Sequence, residues 1–168
     1  MNLVYLLSGT NIGNKLLNLD KAAENIQSNI GNVIVRSSVY ETEPWGFSNQ
    51  PSFYNQALLI ETRLSPLNIL KEIDKIETLI GRDRVKEKKW QHRIIDIDIL
   101  FFNEEVINEP GLIIPHPYIQ ERNFTLVPLE EIAGNYIHPI LKKTIHLLRK
   151  ESKDYLIVKK CSLKANFQ

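Results

Sequence analysis

Residues 89–102 read KWQHRIIDIDILFF, and the alternation inside this stretch decides how the rest of the chain is read. With a period of two, Ile95, Ile97, Ile99 and Phe101 share one face of a strand, and Ile94, Asp96, Asp98 and Leu100 share the other. Asp96 and Asp98 then project from the same side, about 7 Å apart along the chain. Aspartate is depleted from strands, and like charges on one face repel. A divalent cation is the simplest reason to keep such a pair.

The stretch before the aspartates is the most charged in the chain. Arg82, Arg84, Lys86, Lys88, Lys89 and Arg93 face only Asp83 and Glu87, with Trp90 among them. A charge run is ordinarily a solvated face, but this one feeds directly into the paired-aspartate strand. Guanidinium groups suit phosphate oxygens because they present a planar fork of donors. Upstream, Ser65 and Pro66 supply an N-cap and a first-turn proline for a helix with a stripe of Ile69, Ile73, Ile76 and Ile80, closed by Gly81. Glu77 lies beside the stripe, a solvated flank residue unless the next loop folds back over it.

Toward the N-terminus, Asn2–Ser8 is a strand ended by Gly9-Thr-Asn-Ile-Gly13. From Asn14 the period becomes helical, with Leu16, Leu19, Ala23, Ile26 and Ile30 on one side and Gly31 at the C-cap. GTNIG lacks the Lys-Ser/Thr ending of a P-loop, so a tight turn is the default reading over a phosphate nest. Val33–Thr42 and Phe53–Thr62 read as strands. The intervening TEPWGFSNQPS, residues 42–52, is a loop longer than a hairpin needs, in which Trp45 and Phe47 serve either as an anchor or as a ligand wall. After the central strand, Val106–Asn108 is a short return segment and His116 stands between two prolines. Arg122 and Phe124 occupy a helical turn, Leu141–Lys150 forms a short helix, and Asp154–Cys161 a final strand.

The order strand, helix, strand, strand, helix, strand predicts a ferredoxin-like α+β sandwich. Its mainly antiparallel sheet has a βαββαβ core and an elaborated C-terminal third, with helices on one face and ligands on the other. The 168 residues suit a single domain spanning 1–168, and 43% hydrophobic content with 24% charged is ordinary for a globular chain. A net charge of +1 argues against general nucleic-acid affinity. No apolar run is long enough to span a membrane. One cysteine, Cys161, cannot form an internal disulfide. A cytoplasmic monomer is the expectation.

Two carboxylates on one strand face suit Mg²⁺, and a pair of metals about 4 Å apart could be clamped between them. The segment Arg93-Ile-Ile-Asp96-Ile-Asp98-Ile-Leu resembles the signature of the 6-hydroxymethyl-7,8-dihydropterin pyrophosphokinase family. SGTNIG, TEPWGFSNQPSFYNQ, GRDRVKEKKW and IPHPYIQERNFTLVPL are similar to further family segments in the same order. The resemblance implies transfer of the diphosphoryl group of ATP to the pterin hydroxymethyl oxygen, releasing AMP in folate biosynthesis.

By that resemblance Asp96 and Asp98 coordinate two Mg²⁺ ions, and Arg82, Arg93, His116 and Arg122 contact ATP phosphates. Arg84 and Trp90 belong to a closing loop, and Glu77 lies near the nucleotide. Phe53 and Phe124 sandwich the pterin, Asn55 bonds its polar edge, and Thr42, Pro44 and Trp45 add backbone contacts. Gln91-His92 stands where many members have Gly-Pro or Ala-Pro, and Phe53 replaces a tyrosine of some members. The rival expectation is a non-catalytic ferredoxin-like domain that binds nucleic acid or a small ligand. A nucleic-acid binder would need a basic, aromatic sheet face.

Overall fold

The computed structural model describes residues 1–44, 49–86 and 92–162. Strand β1 (Asn2–Thr10) leads into helix α1 (Lys15–Asn29), followed by β2 (Asn32–Arg36), β3 (Tyr40–Thr42) and β4 (Phe53–Thr62). Helix α2 (Pro66–Ile80) then precedes β5 (Asp96–Phe102). The sheet runs β5-β1-β4-β3 and ends on β8 (Val158–Lys160), with β2 also paired to β4, and its pairings are antiparallel. This is the ferredoxin-like order, its second strand divided into β2 and β3. The single strand expected over Val33–Thr42 breaks at residues 37–39. There the Ser37 hydroxyl accepts the Ala57 N–H at 2.9 Å, and the Gln56 amide donates to the Ser37 carbonyl.

Local chemistry sets the two helices that cover the first sheet face. The Asn14 side chain caps α1 by accepting the Leu17 N–H, and the Ser65 hydroxyl caps α2 ahead of Pro66. Gly81, at φ 119°, ends α2 in the left-handed conformation that glycine adopts without strain. Leu19, Ala22 and Ile26 of α1 and Ile69, Ile73 and Ile76 of α2 pack with Val4, Leu6, Leu58 and Ile60 of the sheet.

The second face departs from the open surface expected for it. Helix α3 (Asn123–Ala133) and helix α4 (Ile145–Glu151) lie over its far half. Leu126, Leu129, Ala133, Ile145 and Leu148 bury against Leu7, Ala57, Leu100 and Phe101. A sheet with apolar side chains on both faces needs cover on both, and the C-terminal third supplies it. The end bearing Asp96 and Asp98 opens onto cavities.

The alternation in β5 also holds only in part. Leu6 pairs with Ile99 while Tyr5 pairs with Phe101, so Leu100 has no opposite residue. This bulge reverses the alternation. Ile95, Ile97 and Ile99 face the helices as expected, but Phe102 joins them and Phe101 turns to the second core. Asp96 and Asp98, on the N-terminal side of the bulge, keep their common face.

The short return segment is strand β6 (Ile107–Glu109), paired with β7 (Leu112–Ile114). The final strand is shorter than expected: β8 (Val158–Lys160) pairs with β3, and residues 152–157 approach it as an irregular strap.

Candidate active site

Two cavities converge on the aspartates. The first, about 200 Å³, is lined by Leu7, Gly9, Thr42, Pro44, Gln50, Phe53, Asn55 and Phe124, among others. The second, about 430 Å³, is lined by Arg82, Arg84, Gly111, Ile113, His116 and Pro117, among others. Arg93, Asp96 and Asp98 line both. One cavity is flat-walled, with aromatic rings and an amide, and the other is cationic. A larger cavity of about 760 Å³ lies away from this constellation, between Gln120, Leu148 and Leu156.

The aspartates differ in environment. Arg82 donates to Asp96 Oδ1 at 2.7 Å, and Arg93 pairs with Asp96 Oδ2. Burial alone would raise the Asp96 pKa, but Arg93 and Arg82 outweigh it and hold the carboxyl below its usual range. The Asp98 carboxylate makes no hydrogen bond or ion pair among the described residues. Burial first, and Asp96 second, push its pKa up to about 7, against partial relief from Arg122 and Arg93. A carboxylate without a partner, aimed into a cavity beside a second carboxylate, fits a divalent cation with oxygen ligands. Among the described residues no third acidic, His or Cys side chain completes a protein-only metal cage. This suits an ion that takes its remaining ligands from water and phosphate.

Glu77 is not a solvated flank residue, because Arg82 and Arg84, just after α2, fold back over it. Glu77 is 1% exposed. Its Oε1 accepts the N–H of Ile97, between the two aspartates, at 2.8 Å. Its Oε2 meets Arg82 at 2.9 Å and Arg84 at 2.5 Å. Burial still dominates and raises its pKa, with Arg84 and the Ile97 N–H opposing. Glu77 therefore stands behind the cationic cavity and fastens its wall to α2.

His116 follows a cis Ile114–Pro115 bond, and its N–H donates to the Leu100 carbonyl at 3.0 Å. Burial, aided by Arg122, lowers its pKa to about 4, so the ring is neutral at neutral pH. Nδ1 accepts the Tyr118 N–H at 3.3 Å, which assigns the proton to Nε2. Arg122 lies over the rings of Tyr118 and Phe124, at 4.8 and 5.6 Å, and lines the smaller cavity. Trp45, Trp90 and Gln91 fall outside the described residues.

Sequence reasoning gave no role to three positions. Asn11 ties the first turn to the site: its N–H donates to the Arg93 carbonyl at 3.0 Å, and its Oδ1 accepts the Arg93 N–H at 2.7 Å. The Asn18 amide donates to the Ile94 carbonyl at 3.1 Å. Through Asn11, the GTNIG turn thus braces the strand bearing the aspartates. Gly9 pairs with Asn55 on one side and Asp96 on the other, and a Cβ there would lie 2.5 Å from Asn55 Oδ1. A glycine inside a strand is the available sequence signal for such close approach. Gly9→Ala is expected to raise the KM for the ligand of the smaller cavity about tenfold or more, the size of one displaced polar contact. Steady-state kinetics alongside an unchanged unfolding midpoint is the check, and an unaltered KM would remove Gly9 from the site.

An antiparallel α+β sandwich with unequal carboxylates and arginines between an aromatic and a cationic cavity defines an enzyme of phosphoryl-type transfer. Residues 5–134 match the family described as 7,8-dihydro-6-hydroxymethylpterin-pyrophosphokinase, and the chain belongs to that family. It is 40% identical over 153 residues to the 2-amino-4-hydroxy-6-hydroxymethyldihydropteridine pyrophosphokinase of Aquifex aeolicus, covering 90% of this chain and 93% of the relative. Identity to the Bacillus subtilis protein of the same name is 40% over 133 residues, 79% of this chain and 78% of that one. Among solved structures, Plasmodium falciparum HPPK-DHPS superposes with a TM-score of 0.75 at 22% identity. That match covers 89% of this chain and 44% of the Plasmodium chain, a likeness of fold.

Proposed function

We propose that this chain transfers the diphosphoryl group of ATP to the hydroxymethyl oxygen of 6-hydroxymethyl-7,8-dihydropterin, releasing AMP. The observation that carries the reading is the meeting of the two cavities at Arg93, Asp96 and Asp98. A flat bicyclic ring suits the space between Phe53 and Phe124, with Asn55 at its polar edge. Thr42 Oγ1 is buried without a hydrogen-bond partner among the described residues, leaving an acceptor and donor for the same ligand. The triphosphate suits the cationic side, where Arg82, Arg84 and Arg93 supply charge and neutral His116 supplies the Nε2–H.

In the transfer, the hydroxymethyl oxygen bonds to the β-phosphorus of ATP. The bond from that phosphorus to the bridging oxygen of the α-phosphate breaks, AMP leaves with that oxygen, and the hydroxyl proton is lost. Positioning and electrostatics suffice for this chemistry, without a nucleophilic side chain. Asp96 and Asp98 would hold Mg²⁺, with two ions proposed, and the bound metal supplies charge neutralisation on the phosphate oxygens. Arg93, already fixed by Asn11 and Asp96, holds the phosphate wall against the pterin wall. A single domain acting as a cytoplasmic monomer completes the proposal, consistent with ATP as co-substrate. Among the described residues no helix is long and apolar enough to cross a membrane.

The test is incubation with ATP, Mg²⁺ and 6-hydroxymethyl-7,8-dihydropterin. AMP and the pterin diphosphate are the expected products in equal amounts, whereas ADP or no turnover would overturn the reading. Nucleic-acid binding is disfavoured by the carboxylates on the accessible end of the sheet, which repel a phosphate backbone.

A further inference from the structure

Helix α3 begins at the active site without a cap of its own. Arg122 takes the N-cap position and its side chain makes no capping bond. The missing acceptor comes from far along the chain. Asp154 Oδ2 accepts the Asn123 N–H at 2.8 Å, and the Asn123 amide donates to the Asp154 carbonyl at 2.7 Å. Asp154 is itself held, because its Oδ1 accepts the Leu156 N–H at 3.0 Å and its own N–H donates to Ser152 Oγ at 3.2 Å. Asn123 is 5% exposed, whereas Tyr155 beside the latch is 92% exposed, so the strap is fixed here by polar contacts more than by packing of its aromatic ring.

The residue gripped is the one between Arg122 and Phe124. Those two line the smaller cavity together with Asp96 and Asp98, and Arg122 lies over the Phe124 ring. A carboxylate at a helix N-terminus satisfies an orphan N–H and is attracted by the positive end of the helix dipole. Here it also fixes where the first turn of α3 sits. Asp154 lies beyond the residues matched to the family, which end at 134.

We propose that Asp154 is a positioning residue for the transfer reaction, acting through Asn123 to hold Arg122 and Phe124 in register with the aspartate pair. The strap of residues 152–157 is then a working part of the site. This rests on the roles given above to Arg122 and Phe124.

The test compares wild type, Asp154→Ala, Asp154→Asn and the neighbouring control Lys143→Ala, which breaks an exposed ion pair with Glu151 and leaves the Asp154–Asn123 bonds in place. Wild-type release of AMP is measured first, since its absence would defeat the functional reading and this inference with it. In an active protein, Asp154→Ala is expected to raise the KM for ATP and pterin together, by about three- to thirtyfold, the range spanned by loss of one helix cap. Asp154→Asn keeps an oxygen acceptor for the Asn123 N–H and is expected to stay within about threefold of wild type, since a neutral cap serves nearly as well. Lys143→Ala should match wild type.

In an Arg122→Ala background the effect of Asp154→Ala on the ATP KM should disappear, because contacts that share a partner are not additive. A folded Asp154→Ala with unchanged KM values, or one whose effect adds fully to both Arg122→Ala and Phe124→Ala, would overturn the proposal. Should Asp154→Ala fail to fold, Asp154→Ser, with a shorter capping oxygen, carries the same comparison.

Discussion

Asp98→Asn is expected to abolish pyrophosphoryl transfer while leaving the ligand-free protein at least as stable as wild type. The charge on Asp98 is opposed by burial and by Asp96, and no hydrogen bond or ion pair among the described residues offsets it. Removing that charge relieves the fold. The same change removes a carboxylate proposed to hold Mg²⁺, whose stabilisation of developing phosphate charge is worth several kcal/mol, so kcat should fall about 10³-fold or more.

Asp96→Asn should be equally inactive but less stable. Its carboxylate is paired with Arg82, whose side chain is 6% exposed, and with Arg93. Loss of charge-assisted bonds of this kind costs about 1.5–3 kcal/mol. Two inactive variants with opposite stability changes, read by AMP release and thermal unfolding, separate the metal role from a general role in folding. Undiminished turnover in either would refute its part in the chemistry.

The same asymmetry predicts a pH dependence. The Asp98 pKa rises from 3.8 toward about 7 on folding, so between those values the folded protein binds more protons than the unfolded chain. Stability conferred by this proton is complete below the unfolded value and is lost as pH rises through the folded one. Metal-free wild type should therefore lose stability across that window, and Asp98→Asn should lack this contribution to the slope. Identical pH profiles for the two proteins would mean that Asp98 carries no such burden.

What the sequence could reveal follows from what is local. Apolar spacing, Ser65-Pro66 and Gly81 fix helix α2 from its own residues, and the period of two places Asp96 and Asp98 on one face before any partner strand is known. The bulge at Leu100 depends on where β1 pairs, and no pattern within β5 encodes that. Burial of Glu77 depends on a turn bringing Arg82 and Arg84 back over α2. The capping of α3 by Asp154 spans 31 residues of sequence separation. In the last two cases a buried polar group finds its partner through tertiary contact, and periodicity is silent on such pairings.

Glu77 should be the position where substitution costs most stability. Its carboxylate has two buried tasks that one side chain performs together: Oε1 takes the Ile97 N–H, and Oε2 meets Arg82 and Arg84. Glu77→Ala strands the buried Ile97 N–H on the edge strand β5 and leaves Arg82 dependent on Asp96 and its other contacts. Breaking a buried pair from one side costs about 3–5 kcal/mol, which for a chain of this size lowers the unfolding midpoint by about 10 °C. Glu77→Gln keeps an oxygen for Ile97 and gives up only the charge, so it should fall between wild type and Glu77→Ala.

Activity should fall further than stability alone accounts for. Ile97 sits between Asp96 and Asp98, so releasing its N–H frees both carboxylates to shift, and a displacement of about 1 Å in a catalytic group can cost 10²-fold. The decisive measurement is kcat at a temperature where each variant is fully folded. A large kcat loss in Glu77→Ala with partial recovery in Glu77→Gln would assign Glu77 to holding the strand. Equal activity in all three proteins would leave it a purely structural buried charge. If the Glu77→Ala midpoint stayed within about 2 °C of wild type, the buried clamp itself would be wrong, because a stranded buried partner cannot be that cheap.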